Sequence, residues 1–413
     1  MVTARKDRYL QLPSRSGVYD LSTVAVVGGG GLVSQCASYD LAMDGGVESI
    51  IVADLDISKA RKVASLANAL SGKRKARAVQ VDVRKVKEAS RAVAGSDVLI
   101  NGVQYDFNEK VMDMALLAGS HYLDFGGLYW MTKRQLSRSS EFRSAGLLAV
   151  AGMGAEPGLS GIIANELCDR MDSVETIKVR DAWRDYTKNV PPFFVTWSIQ
   201  TLMDEYTMEG EVLQDGKIRK YAPLALSEEY DFPEPVGSTQ VYSTRHSEIA
   251  TFPSSFRKKG VRNVNWMEGG PGFIEQKTLA DAGFGDQKRL RVGGSLVSPR
   301  NFLAALLRSK GLLGYPEGCR PDSYECLAVE VTGKRGGKAV SERRTCIFPS
   351  KPEWGLGAAE YSVGIPGAVA ARLIADGKVK SRGVRPPELV FKAEDFYPEL
   401  RKRGFILSDV EER

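Results

Sequence analysis

Only two histidines, His121 and His246, occur in the 413 residues. The search for a side chain that titrates unaided near neutrality is therefore short. His246 lies in the polar stretch STRHSEIATFP (243–253), two residues before Glu248. On a strand the two share a face, which makes an imidazole–carboxylate pair suited to moving protons; a surface histidine is the alternative. The H-x-E spacing is not followed by PCxxC, so a zinc deaminase is disfavoured. His121 opens a predicted strand and would sit at its N-terminal edge, away from the ligand crevice of an open α/β sheet, so its expected role is structural.

The second chemical signal is VVGGGGLVSQCASYDLA (26–42), which joins a predicted strand to a predicted helix. Glycines there make a tight turn and let backbone approach a pyrophosphate, while the helix N-terminus offers free N–H groups and a positive dipole end. Gly29, Gly30, Gly31, Leu32 and Val33 are the expected cofactor contacts. Four consecutive glycines leave the GxGxxG frame open. Started at Gly29 its third position is Ser34, and started at Gly28 it is Val33, so neither frame ends in glycine. Asp54 closes the second predicted strand, 25 residues beyond Gly29. A carboxylate there can accept both ribose hydroxyls of an adenosine and repel a 2′-phosphate, which favours NAD over NADP. Its alternative role is to cap the next helix, which Asp56 or Ser58 could equally do. A methyl-donor site on a similar loop is the main competing ligand.

Other candidates follow from position. Asp82, Asn101 and Asp124 end predicted strands at the edge where ligands bind, and Gly126 follows Asp124 where a cofactor could come close. Asp124 could hold a substrate ammonium or cap a turn. Glu156 and Gly158 precede the helical segment GLSGIIANELC, whose N-terminus could receive a substrate carboxylate. Trp197 is a weaker candidate for a substrate wall. Cys36, Cys168, Cys319, Cys326 and Cys346 contain no CxxC pair, so neither a disulfide framework nor a thiolate metal site is expected.

The elements that must position these residues read as an α/β fold, a doubly wound parallel sheet. The runs TVAVV (23–27), SIIVA (49–53), AVQVD (78–82), DVLIN (97–101), HYLDF (121–125) and LLAVA (147–151) read as strands. They alternate with helical segments at Val33–Met43, Ser58–Leu70, Val86–Ala94, Asn108–Ala118 and Thr132–Ser144. The strands are apolar throughout, as a sheet covered on both faces requires. After Gly152 the rhythm changes. SVETIKVRDAW (173–183) reads as a strand and TWSIQTLMDEYTM (196–208) as an amphipathic helix. DGK (215–217) and KRGGK (334–338) read as hairpin turns, so the second region is a mixed or antiparallel sheet with a few helices. A helical pattern returns at 361–376, a short helix is expected near Asp395–Lys402, and FIL (405–407) is strand-like. Both the helix and FIL are expected to complete the first domain.

The glycine loop with ASYDLA, then HYLDFGGLYWMTKRQL (121–136) and GMGAEPGLSGIIANELCDRMDSVETIKVR (152–180), resemble the saccharopine dehydrogenase-like family, nearest to lysine 6-dehydrogenases. TWSIQTLMDEY (196–206), FPEPVGSTQVYSTRHSEIATFP (232–253) and VGIPGAVAARLIADGKVKSRGVRPPE (363–388) extend the likeness over nearly the whole chain. Ser34 and an N-terminal extension of about twenty residues depart from the family pattern. The resemblance implies a Rossmann-type domain at 1–154, an inserted α+β substrate and oligomerisation domain at 155–355, and a segment at 356–413 that packs back on the first. It implies an NAD(P)-dependent reaction at a carbon–nitrogen bond of an amino acid or polyamine, usually in homo-oligomers, and it tips His246 towards catalysis. The leading expectation is NAD-dependent oxidation of the lysine ε-amine. Its alternatives are NADPH-dependent reductive condensation of an amine with a carbonyl compound, and a nucleotide-binding regulatory protein without turnover.

Composition excludes other classes. Hydrophobic residues make up 43% and charged residues 26%, as in ordinary globular chains. A net charge of +6, from 57 basic and 51 acidic residues, does not announce a nucleic-acid partner. With no apolar run of membrane-spanning length and no signal-peptide pattern, no membrane partner and a cytoplasmic location are expected.

Overall fold

The computed structural model describes residues 22–413. The first region runs β1 (Ser22–Val27), α1 (Leu32–Met43), β2 (Val47–Asp54), α2 (Ile57–Ser71), β3 (Ala76–Gln80), α3 (Val86–Ala92), β4 (Val98–Asn101), α4 (Asn108–Ala118), β5 (His121–Asp124), α5 (Leu128–Ser137), α6 (Ser139–Ser144) and β6 (Leu148–Val150). Thr132–Ser144, expected as one helix, is thus two. The second region opens with α7 (Leu159–Asp169), β7 (Ser173–Asp185), α8 (Ile199–Thr207), β8 (Gly210–Gln214), β9 (Lys217–Tyr221), β10 (Ser227–Asp231), β11 (Ser238–Tyr242), α9 (Glu248–Ser255) and β12 (Asn263–Gly269). It continues with α10 (Phe273–Leu279), β13 (Leu290–Val292), β14 (Ser295–Val297), α11 (Pro299–Ser309), β15 (Ser323–Arg335) and β16 (Lys338–Pro349). The chain closes with α12 (Ala358–Ala375), β17 (Gly383–Arg385), α13 (Ala393–Lys402), β18 (Ile406–Leu407) and β19 (Glu411–Glu412).

The first sheet is parallel, in the order β17-β6-β5-β4-β1-β2-β3. Its uniformly apolar strands are explained by packing on both faces. Val24, Val26, Ile50, Val52 and Ile100 face one core with Ile365 and Val369 of α12. The alternating Ala25, Val27, Ile51, Ala53 and Leu99 face a second core with Val111, Met112 and Ala115 of α4. Each fully buried Val, Leu or Ile contributes roughly 1.5–3 kcal/mol. α12 comes close to α1 because residue 364 is glycine, where a Cβ would lie 2.6 Å from the Cβ of Cys36.

The second sheet is mixed, in the order β10-β11-β12-β7-β15-β16-β18, with β12 parallel to β7. The turns at DGK and KRGGK do join antiparallel pairs, β8 with β9 and β15 with β16. One expectation is corrected. FIL does not complete the first sheet, because Ile406 and Leu407 pair with Ile347 and Cys346 on the edge of the second. Phe405 packs on Phe348, with ring centroids 5.0 Å apart, and its burial draws that strand to β16. The tail is therefore divided, with α12 and β17 on the first sheet and β18 and β19 on the second. Among the described residues no helix is long and apolar enough to cross a membrane.

Candidate active site

The glycine loop runs from the end of β1 into α1, whose N-cap Gly31 carries no side chain. Gly28 adopts φ +73°, and a Cβ there would meet the backbone of Gly102 at 2.9 Å, so this turn needs glycine. Asp54 accepts from the Gly30 amide at 2.9 Å and from the Asp56 amide at 2.9 Å. The capping of α2 falls to Asp56, which accepts from Ser58 and Lys59. Asp54 is thereby held beside the loop rather than spent on the helix. A bare helix N-terminus with a carboxylate at the end of the next strand fits the pyrophosphate and ribose of a dinucleotide. Leu32 and Val33 begin α1, and Val33 lines a cavity of about 580 Å³ between the two sheets.

Asn101 and Gly126 also line this cavity. The Asn101 amide donates to Asn108 at 2.8 Å and to the Tyr122 hydroxyl at 3.0 Å, which fixes the end of β4. Asp82 does not reach the cavity. Its carboxylate takes two 2.8 Å bonds from Arg84, which hold it down at about 2. Asp124 is likewise turned away. Fully buried, it accepts from the Tyr122 hydroxyl at 2.7 Å, from the Gly126 and Gly152 amides at 2.9 and 2.8 Å, and from Gln135. Burial raises its pKa and protein donors occupy it, so it organises the loops after β5 and β6 and offers nothing to a substrate ammonium. His121 Nδ1 accepts from the Leu148 amide at 2.9 Å, and burial holds it down at about 4, a structural part.

His246 and Glu248 do meet, though not on a strand. His246 stands in the loop after β11 and Glu248 is the first residue of α9, so the helix start brings the carboxylate onto Nδ1. The Ser160 hydroxyl of α7 donates to Glu248 at 2.6 Å. Burial alone would push Glu248 up, but the adjoining His246 and Ser160 keep it below the ordinary range. The His246 ring stacks on Trp266 and lines the cavity. With Nδ1 held by Glu248, Nε2 is the nitrogen available to a ligand.

Glu156 and Trp197 line the cavity as well. The helix end behind Glu156 is not an anion receiver, because the Leu159 and Ser160 amides donate to Gly154 and Ala155 at 2.9 Å. Gly158 adopts φ +140°, and a Cβ there would collide with the Gly154 carbonyl, so its glycine serves the turn. Trp197 packs edge-on against Trp183, with centroids 5.7 Å apart. Sequence reasoning missed Asp181, Glu205, Glu268 and Glu325, which share this cavity. Asp181 is the register partner of Glu268 across β7 and β12, and Glu325 pairs with Trp183 across β15 and β7. Side-chain alternation therefore puts Asp181, Glu268 and Glu325 on one face, and Glu205 joins them from α8. The detectable signal was a carboxylate ending an apolar period-2 run, Ile177–Val179–Asp181. Burial and mutual repulsion raise the pKa values of Glu156, Asp181, Glu205 and Glu268, and burial pushes Glu325 up to about 7. Such a wall favours a cationic ligand and disfavours a free carboxylate.

Comparison with known proteins converges on the same chemistry. The saccharopine dehydrogenase NADP binding domain matches residues 24–150, and the saccharopine dehydrogenase C-terminal domain matches residues 154–405. Carboxyaminopropylagmatine dehydrogenase of Synechocystis sp. is 24% identical over 407 residues, covering 93% of this chain and 96% of that protein. The fold resembles saccharopine dehydrogenase (L-Glu forming) from Saccharomyces cerevisiae, with TM-score 0.70 and 18% identity over 95% of this chain and 100% of the other. It also resembles the NAD complex of homospermidine synthase from Legionella pneumophila, with TM-score 0.58 and 13% identity over 95% and 91% of the two chains.

Proposed function

Since this chain belongs to the saccharopine dehydrogenase family, NAD(P)-binding oxidoreductases acting on CH–NH groups, we propose that it oxidises or forms a secondary carbon–nitrogen bond in a conjugate of a polyamine-like cation with an amino-acid chain. One observation carries this reading. A single cavity joins the cofactor crevice at Val33 and Asn101, the His246–Glu248 pair and a wall of carboxylates. Its acidity suits a di- or polycation better than a dicarboxylate, and the curated relative's name describes an amine of this kind. Oxidation of the lysine ε-amine is the second reading, supported by the likeness of segments 121–136 and 152–180 to lysine 6-dehydrogenases.

The glycine loop and Asp54 would hold a nicotinamide dinucleotide, which would supply or accept the hydride. Asp54 supports NAD over NADP, since a carboxylate beside the glycine loop would repel the 2′-phosphate of NADP. His246, through Nε2, takes a proton from the substrate nitrogen so that its lone pair can assist hydride departure. Water adds to the resulting carbon–nitrogen double bond, and His246 returns the proton to nitrogen as the carbinolamine breaks its C–N bond to give a carbonyl compound and an amine. Glu248 holds the Nδ1 proton and steadies the ring as it charges, while Ser160 and Trp266 fix the pair. The carboxylate wall receives the remaining positive charge of the substrate.

The proposal takes residues 1–154 and the α12–β17 segment as the dinucleotide-binding unit, and the second sheet as the substrate unit. It includes a cytoplasmic location and homo-oligomers, which fractionation and light scattering check. The deciding experiment offers lysine, saccharopine, carboxyaminopropylagmatine and other polyamine conjugates with NAD and NADP. Nicotinamide absorbance and ammonia release are followed together. Turnover of a conjugate without ammonia supports the reading. Ammonia released from lysine alone replaces it with the second reading.

A further inference from the structure

Three carboxyl groups gather at one place in the cavity wall. Oxygens of Glu156, Asp181 and Glu325 all lie within 4.8 Å of one another. No hydrogen bond reaches Asp181 Oδ1 or Glu156 Oε1, and both atoms are enclosed. Asp181 is only 5% exposed. Buried polar atoms without partners cost about 1–3 kcal/mol each, more for charged groups, so this arrangement calls for an occupant. Trp183 also lines the cavity and shares the Asp181 face of β7, which gives a cation an aromatic surface beside the carboxylates.

We propose that Glu156, Asp181 and Glu325 form a subsite for the remote cationic group of the substrate, an ammonium or guanidinium at the end away from the reacting carbon. This deepens the proposed function and rests on its amine substrate. The reacting end belongs to His246, and the three carboxylates set which second group the enzyme accepts. Glu248 and Glu268 act on Glu156, Glu360 neighbours Glu325, Glu205 neighbours Glu268, and Cys326 lies behind the cluster. His246 and the more distant Arg184 and Arg343 are the basic groups on this side. With so little positive charge nearby, burial and mutual repulsion raise the pKa values of the three carboxyl groups, Glu325 to about 7, and an entering cation favours their ionised forms. Binding of the second cationic group is therefore accompanied by proton release and strengthens as pH rises through the Glu325 value of about 7.

The test is calorimetric titration of the full chain, saturated with NADH to block oxidation. The probes are 1,5-diaminopentane and 1-aminopentane, in two buffers of different ionisation enthalpy. The diamine is expected to bind at least tenfold more tightly than the monoamine, with proton release to buffer. Asp181→Asn and Glu325→Gln are each expected to erase that preference while NADH binding and the circular dichroism spectrum are retained. Equal affinity for the two amines, or a preference that survives both substitutions, overturns the proposal. Magnesium or calcium chloride binding more tightly than the diamine assigns the cluster to a metal and overturns it as well. The readout needs no turnover, so diamine selectivity without any dehydrogenase activity would defeat the proposed function alone. Turnover of amine conjugates without diamine selectivity would defeat only the subsite.

Discussion

The imidazole of His246 lies flat on the indole of Trp266, with ring centroids 3.9 Å apart and planes within 13°. Trp266 in turn donates from Nε1 to the Thr244 hydroxyl at 2.8 Å, and Thr244 donates to Glu268 at 2.6 Å. The ring that would move protons is thus held on one face by an indole and at Nδ1 by Glu248. A ring held this way can transfer a proton at Nε2 without first searching for its orientation.

His246→Asn is expected to lower turnover about 10²–10⁴-fold, the usual contribution of a positioned acid–base group. NADH binding is expected to persist. Steady-state rates check this, and unchanged turnover would remove His246 from the mechanism.

Asp54→Ala is expected to weaken NADH binding about tenfold and narrow the gap between NADH and NADPH. The Gly30 amide loses its acceptor, and the repulsion of a 2′-phosphate goes with it. Fluorescence titration with both dinucleotides reads the two effects separately. Equal affinities in the unmodified protein would end the NAD assignment.

Tyr105, from the loop after β4, donates at 2.6 Å to Asp204 of α8, which forms a buried ion pair with Arg300 of α11. This clasp ties the first sheet's loop to the second region beside the cavity. Arg300→Met strands a buried carboxylate and is expected to cost about 3–5 kcal/mol. Tyr105→Phe is expected to cost only about 1–2 kcal/mol. Denaturant unfolding distinguishes the two.

Glu360 of α12 is fully buried, and burial with Glu325 nearby pushes it up to about 8. The folded protein therefore binds a proton that the unfolded chain has released above about 4.5. Stability on this account falls as pH rises from 4.5 to 8 and levels off above. Glu360→Gln is expected to raise Tm at pH 8 by about 2–4 °C or more and to reduce the slope. Thermal melts at pH 5 and pH 8 measure both.

The divided tail predicts two different truncations. A chain ending at residue 357 exposes the α1 face that α12 covers, and is expected to aggregate or lose dinucleotide binding. A chain ending at residue 404 loses only the edge strands on β16, and is expected to keep binding with reduced stability. Solubility and NADH titration compare them.

The sequence by itself determined the parallel sheet, because strands buried on both faces must be apolar throughout and the helices between them keep a 3.6-residue period. It also located the glycine loop and Asp54, which meet within one strand–turn–helix unit. The pairing of His246 with Glu248 was legible from their spacing, but the loop-to-helix geometry that makes it was not. Only the tertiary structure decided which carboxylates line the cavity. Asp124 and Asp82 end strands as a ligand-binding acid would, yet internal donors claim both. Asp181, Glu268 and Glu325 lie far apart in the chain and meet because β12, β7 and β15 are neighbours in one register. FIL went to β16 for the same kind of reason. Its own residues call for an edge, and which edge depends on where Phe348 and Phe405 meet. Strand pairing is a relation between distant segments, and a local hydrophobic period carries no record of the partner.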